Sequence, residues 1–218
     1  MFCWTLILGA AGLSWCGRCH AEIICGSPVR PNPGCTWHNF PRMGELTIDC
    51  GCCILRPFRR EDAESLVRHA NNPKVACRLR DRFPHPYTLE NARQFLTGVT
   101  RRTPASNEFV LAIEVDGQAV GGIGIVRGTD IERIAAELGY WLGEEYWGRG
   151  IVTEAIKKFT PWVMERFGLV RLHADCFTDN PASARVLEKA GFVRESTKRR
   201  SAIKNGVIKD THVYVMLR

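Results

Sequence analysis

Between residues 136 and 191 the chain switches from a strand period to a helix period and back, and no other feature limits the fold as tightly. Ala136, Leu138, Tyr140 and Leu142 alternate with Glu137, Gly139 and Trp141, the two-residue period of a strand with one apolar face. A short loop over residues 143–146 and a glycine-containing turn follow. Ile151, Ala155, Ile156, Phe159 and Val163 then recur at helical spacing, with Pro161 expected to kink or interrupt the helix. Val170, Leu172, Ala174 and Cys176 return to alternation, against Arg171, His173 and Asp175. Asn180-Pro181 opens another helix as N-cap and first-turn proline, and Gly191 closes it.

The flanking sequence extends this pattern. Residues 54–58 read as a strand, followed by a helix across Ala63, Leu66, Val67 and Ala70. Thr88 caps a second helix carrying Ala92, Phe95 and Leu96. Residues 109–115 and 119–126 are strands joined at Asp116-Gly117, a dipeptide suited to a tight hairpin, and residues 192–201 and 211–217 are strands around Asn205-Gly206. The expected fold is α+β, with a mixed, mostly antiparallel sheet flanked by helices and no internal repeat. A length of 218 residues suits one domain and a tail, and 45% apolar residues exclude wholesale disorder.

The ten cysteines are unevenly placed: Cys3, Cys16, Cys19, Cys25, Cys35, Cys50, Cys52 and Cys53 precede residue 54, leaving Cys77 and Cys176 for the rest. Cys16, Cys19 and His20 have the C-x-x-C-H spacing of covalent haem attachment, and several of these cysteines, with His38, offer zinc ligands. The gaps do not form two clean knuckles, however, and no second haem signal follows. The apolar run over residues 2–15 is shorter than the ~20 residues of a membrane span and lacks a basic residue in front of it. Residues 1–52 are therefore expected to be a Cys-rich extension that is disordered or precedes the true start, for which Met43 is the candidate, and residues 53–218 to be the working domain. No metal and no membrane are expected.

The formal net charge of +7 lies outside the first 50 residues, where three arginines balance three carboxylates. Residues 194–218 alone hold seven Lys or Arg against Glu195 and Asp210. Such a stretch faces solvent or an anion; without a nucleic-acid-binding motif beside it, a phosphate-bearing ligand fits better than nucleic acid. Trp147-Gly148-Arg149-Gly150-Ile151-Val152, between strand and helix, is either a plain turn or a place for phosphate. Glycines there let a ligand approach the backbone, and the first-turn N–H groups of the helix are free to donate. It is neither a Walker loop nor a dinucleotide fingerprint.

The run ELGYWLGEEYWGRGIVTEA, followed by DNPASARVLEKAGF, closely resembles the GNAT superfamily of acetyl-CoA-dependent N-acetyltransferases, in particular the branch containing the ribosomal-protein N-terminal acetyltransferases. ILRPFRREDAESL resembles the family's first strand and helix, so the resemblance covers residues 53–218. It implies a GNAT fold, with Gly150 at the essential glycine of the acyl-CoA loop. Arg149, Gly150, Ile151, Val152 and Thr153 would cradle the pyrophosphate, and the strand bearing Leu138, Tyr140 and Leu142 would pair with the pantetheine arm. Trp147 and Val152 depart from the family's loop pattern, and a branched Val152 would narrow the approach of the pyrophosphate. Asn180 would hydrogen-bond the pantetheine near the sulfur, and Ser183 would protonate the departing thiolate, with Tyr214 as another thiol acid. Glu137 is the first candidate base, with His173 behind it and a structural pairing of Glu137 with a nearby arginine as the competing reading. Cys176 is expected to pack.

The implied reaction is direct attack of a primary amine on acetyl-CoA in a ternary complex. The acceptor would be a protein N-terminal α-amine or a small-molecule amine, the location cytoplasmic, and a homodimer compatible. The alternative is a non-catalytic acyl-CoA-binding sensor.

Overall fold

The computed structural model describes residues 46–101 and 106–218. Among them, eight strands form one sheet in the order β1-β2-β3-β4-β5-β6-β8-β7. They are β1 (Ile48–Asp49), β2 (Ile54–Arg56), β3 (Glu108–Val115), β4 (Gln118–Arg127), β5 (Ala135–Leu142), β6 (Arg171–Phe177), β7 (Val193–Lys204) and β8 (Val207–Leu217). Only β5 and β6 run parallel. The helices are α1 (Ala63–Ala70), α2 (Pro73–Ala76), α3 (Leu89–Thr100), α4 (Ile151–Phe167) and α5 (Pro181–Lys189). This is the expected α+β arrangement.

Helices cover both faces because β3, β4 and β5 carry apolar residues on both. Leu111, Ile113, Ile123, Leu138, Leu142 and Leu172 pack against Ile151, Ile156, Phe159, Val163 and Leu187 of α4 and α5. On the other face Ala112, Ala119 and Trp141 meet Leu66, Ala70, Ala92 and Leu96 of α1 and α3. A third contact fixes the start of the domain. Arg56, buried at the end of β2, forks onto Asp62 at 2.7 and 2.8 Å and also bonds Glu114 of β3. The N–H of Arg59 donates to the same aspartate at 2.7 Å. This bidentate lock is what the Arg and Asp of ILRPFRREDAESL do physically.

Four features differ from the sequence reading. The folded domain reaches back before residue 53: Ile48 pairs with Leu55, and Leu46, Cys50 and Cys53 are buried in the core. A two-residue strand is too short to show a period, so residues 46–52 read as part of the extension. Helix α2 escapes for the same reason, although Asn72 caps it by accepting from the N–H of Lys74 at 2.8 Å. Helix α4 runs unbroken through Pro161. The proline ring is exposed while Ile156, Phe159, Val163 and Met164 on either side of it are buried, so packing holds the helix across the missing hydrogen bond. Finally, β7 and β8 extend to the Asn205-Gly206 turn, beyond 201 and 211; β7 is exposed along nearly its whole length and carries two register shifts, so no alternation marks its end. Residues 1–45, with the C-x-x-C-H spacing and Met43, lie outside the described residues.

Candidate active site

After β5 a 3₁₀ turn (Glu144–Tyr146) leads into residues 147–150. Gly148 and Gly150 adopt φ of 76° and 78°, the left-handed region that disfavours side chains. A Cβ at either would meet nothing within 4 Å, so the backbone, not crowding, requires glycine, and the space beside the loop is open. Gly150 is the N-cap of α4 and supplies no capping side chain. The backbone bond from Glu154 N to Gly150 O, at 3.1 Å, is the first of the helix, so the N–H groups of Ile151, Val152 and Thr153 have no acceptor within it. With the positive end of a 17-residue helix behind them, they form an anion cradle. The Arg149 guanidinium lies 5.2 Å from the Tyr146 ring centre, and the Trp147 indole N–H donates to the Leu142 carbonyl at 2.8 Å, tying the loop to the end of β5. Ile151, Val152 and Thr153 are buried. The branched side chain of Val152 packs into the core.

The strand leading to this loop has an open edge. β5 pairs with β4 from Ala136 to Leu142, and β6 pairs with β8 from Arg171 to Phe177. β5 and β6 pair with each other only at Ala135–Arg171, Ala136–Leu172 and Glu137–His173. Beyond that point they part, and the side of residues 138–142 facing β6 has no strand partner among the described residues. Leu138 and Leu142 are buried on the α4 and α5 side; Tyr140, half-buried, points the same way.

Two groups of polar side chains flank the opening. On the α5 side, the Asn180 side chain accepts from the Ser183 N–H at 3.3 Å and caps α5. The Ser183 hydroxyl is 2.7 Å from that of Tyr140. Burial pushes the Tyr140 hydroxyl well above the usual tyrosine range, so it stays protonated. Burial also raises Cys176, to about 11, with Ser183 opposing the rise, and the thiol stays protonated and packed as expected. Tyr214 donates to Glu188 at 2.9 Å and is pushed up to about 12, chiefly by burial, so its hydroxyl is already engaged. On the other face, Glu137 lies beside His173 across the parallel pairing and forms an ion pair with Arg80. The structure thus brings Tyr140, Asn180, Ser183 and Cys176 together, and places Glu137 and His173 on the opposite side of the sheet. Sequence reasoning missed the Tyr140–Ser183 contact and Arg80; the latter lies between α2 and α3, where no period or motif marks it. Among the described residues no group of three or more His, Cys, Asp or Glu is placed to hold a metal, and no helix is long and apolar enough to cross a membrane.

β5 and β6 thus part beside the uncapped amino end of α4. Residues 53–193 match the family model for the acetyltransferase (GNAT) domain. YoaA of Bacillus subtilis (strain 168), an uncharacterized N-acetyltransferase, is 29% identical over 173 residues, which cover 76% of this chain and 93% of YoaA. The ribosomal-protein-serine acetyltransferase of Escherichia coli (strain K12) is 30% identical over 97 residues, 44% of this chain and 54% of that protein. In fold, the chain is similar to RimL, a ribosomal L7/L12 alpha-N-protein acetyltransferase solved in complex with coenzyme A. The TM-score is 0.71 at 20% identity, covering 79% of this chain and 98% of that one. The chain belongs to the GNAT acetyltransferase family, and is an acyltransferase of the N-acetyltransferase type.

Proposed function

We propose that the protein transfers an acetyl group from acetyl-CoA to a primary amine, a protein N-terminal α-amine or a small-molecule amine, by direct attack in a ternary complex. One observation carries this reading: the uncapped amino end of α4 follows directly on the end of β5 that has parted from β6. The N–H groups of Ile151, Val152 and Thr153, with Arg149 and Gly150, would hold the pyrophosphate, and the free edge at Leu138, Tyr140 and Leu142 would pair with the pantetheine arm. Acetyl-CoA supplies the activated acyl group; the protein supplies position and proton transfer.

Proton transfer divides between the two faces. Glu137, directly or through a water, takes the proton of the incoming ammonium, with His173 beside it. Asn180 orients the pantetheine near the sulfur, and Ser183, hydrogen-bonded to Tyr140, protonates the departing thiolate. Glu137 is held in place by its ion pair with Arg80. The same pair supports a second reading, a non-catalytic acyl-CoA sensor in which Glu137 is structural. The name of the Escherichia coli ribosomal-protein-serine acetyltransferase favours a protein as acceptor, and a cytoplasmic setting, where acetyl-CoA is available, goes with the proposal.

The test is acetyl-CoA turnover with a panel of amines and N-terminal peptides, read as released thiol. Thiol release with at least one amine is expected. Absence of acetyl-CoA binding overturns the reading, and binding without thiol release on any amine favours the sensor.

A further inference from the structure

The turn between β5 and α4 is gripped by the junction of α1 and α2. His69, in the last turn of α1 and 4% exposed, is at the centre of that grip. Its Nδ1 lies 2.9 Å from Glu145 Oε1. Its ring meets the Tyr146 ring edge to face at 5.4 Å, and Tyr146 in turn carries the Arg149 guanidinium. Gly143 passes so close that a Cβ there would stand 3.0 Å from both the Cβ and the Nδ1 of His69. The remaining residue of the turn, Glu144, is held by Asn72 at 2.7 Å and by Lys74. Every residue from 143 to 146 is therefore fixed from this junction, three of them by one imidazole.

We propose that His69 is a positioning residue for the acyl-CoA loop: as a neutral imidazole it sets the turn at residues 143–146 and, through Tyr146, the Arg149 side chain beside the amino end of α4. The inference rests on the acyl-CoA reading of that loop. A carboxylate can only accept, so Glu145 fixes the proton of the neutral ring on Nδ1. Nε2 is then a bare lone pair, and it is buried without a hydrogen-bond partner. Protonating it would bury an N–H with no acceptor. The charged groups facing the ring are Glu145 from the turn and Arg68 from its own helix, and Lys74 of α2 is engaged with Glu144. Burial is the largest influence and lowers the His69 pKa; Glu145 opposes it and Arg68 adds to it. The gripped turn therefore favours the neutral ring. It is fully favoured above the ordinary histidine value of ~6.5 and is weakened as pH falls through the lowered value.

The experiment measures acetyl-CoA affinity by calorimetry, with KM and kcat, for the full chain and for His69→Leu and His69→Asn across about pH 5.5 to 8. Leucine fills the volume without a donor; asparagine keeps a donor near Nδ1 but does not titrate. His69→Leu is expected to raise Kd and KM for acetyl-CoA about tenfold, the scale of one lost hydrogen bond, while leaving kcat at saturation within about twofold. His69→Asn should restore most of the affinity and abolish the wild type's loss of affinity on acidification. Unchanged Kd in a folded His69→Leu, or the same acid-side loss in His69→Asn, overturns the inference while leaving the acyl-CoA reading intact. A wild-type protein that binds no acetyl-CoA overturns both. Should His69→Leu not fold, Gly143→Ala crowds the same ring from the turn: a raised Kd supports the inference and an unchanged one overturns it.

Discussion

Gly150, the N-cap of α4, and Val152, in its first turn, answer to different constraints. Gly150 is set by its backbone, with φ of 78°, so Gly150→Leu strains the loop and fills the open space beside it. Acetyl-CoA binding is expected to be lost in calorimetry while the far-UV spectrum is unchanged; retained binding would show that the pyrophosphate lies elsewhere. Val152 is set by the core, so Val152→Ala should leave that affinity nearly unchanged. At the opening, Ser183→Ala removes the proposed thiol acid and should lower kcat by about 10²-fold with little change in acetyl-CoA affinity, general-acid contributions being of that order or larger. Tyr140→Phe removes only its hydrogen-bond partner and should cost less in kcat. Structure at this scale was legible in the sequence where it is local. Asn180-Pro181 announces a helix start because cap and first turn adjoin, and the structure has that cap. Arg80 was not legible, because it reaches Glu137 across 57 positions and only the folded chain makes them neighbours.

Among the elements, legibility followed length. The long pieces α4 and β5 could be read from period, α3 from its Thr88 cap and β3 and β4 from the Asp116-Gly117 turn between them, whereas β1 and α2, with two and four residues, show no period. Pro161 shows the opposite failure, in which a strong local signal is overruled by packing. Phe159, fully buried two residues before the proline, carries much of that packing. Phe159→Ala should cost roughly 3–5 kcal/mol in urea unfolding, a loss that also threatens the cradle at the head of the same helix. Trp147→Phe keeps the ring but removes the N–H donated to Leu142, and is expected to weaken acetyl-CoA binding more than it lowers Tm.

For the molecule as a whole, the fold class was readable and a candidate site could be placed, because strand, glycine turn and helix adjoin in the chain between residues 136 and 167. The order of the sheet was not readable from period; β6, β8 and β7 take their places through long-range pairing. Ligand linkage gives a test at this scale. Acetyl-CoA at about 100 times its Kd stabilises the folded state by about 2.7 kcal/mol, or roughly 5–11 °C in Tm for a chain of this size. A smaller shift would mean that acetyl-CoA also binds the unfolded chain. The short parallel pairing has a mechanical consequence. Three residue pairs join β1–β5 to β6–β8, so the sheet behaves as two plates riveted at one end, its stiffness lowest along the open slit. A molecule lying in the slit and bonding both lips would act as the missing rivets, and amide exchange along residues 138–142 would slow as it enters.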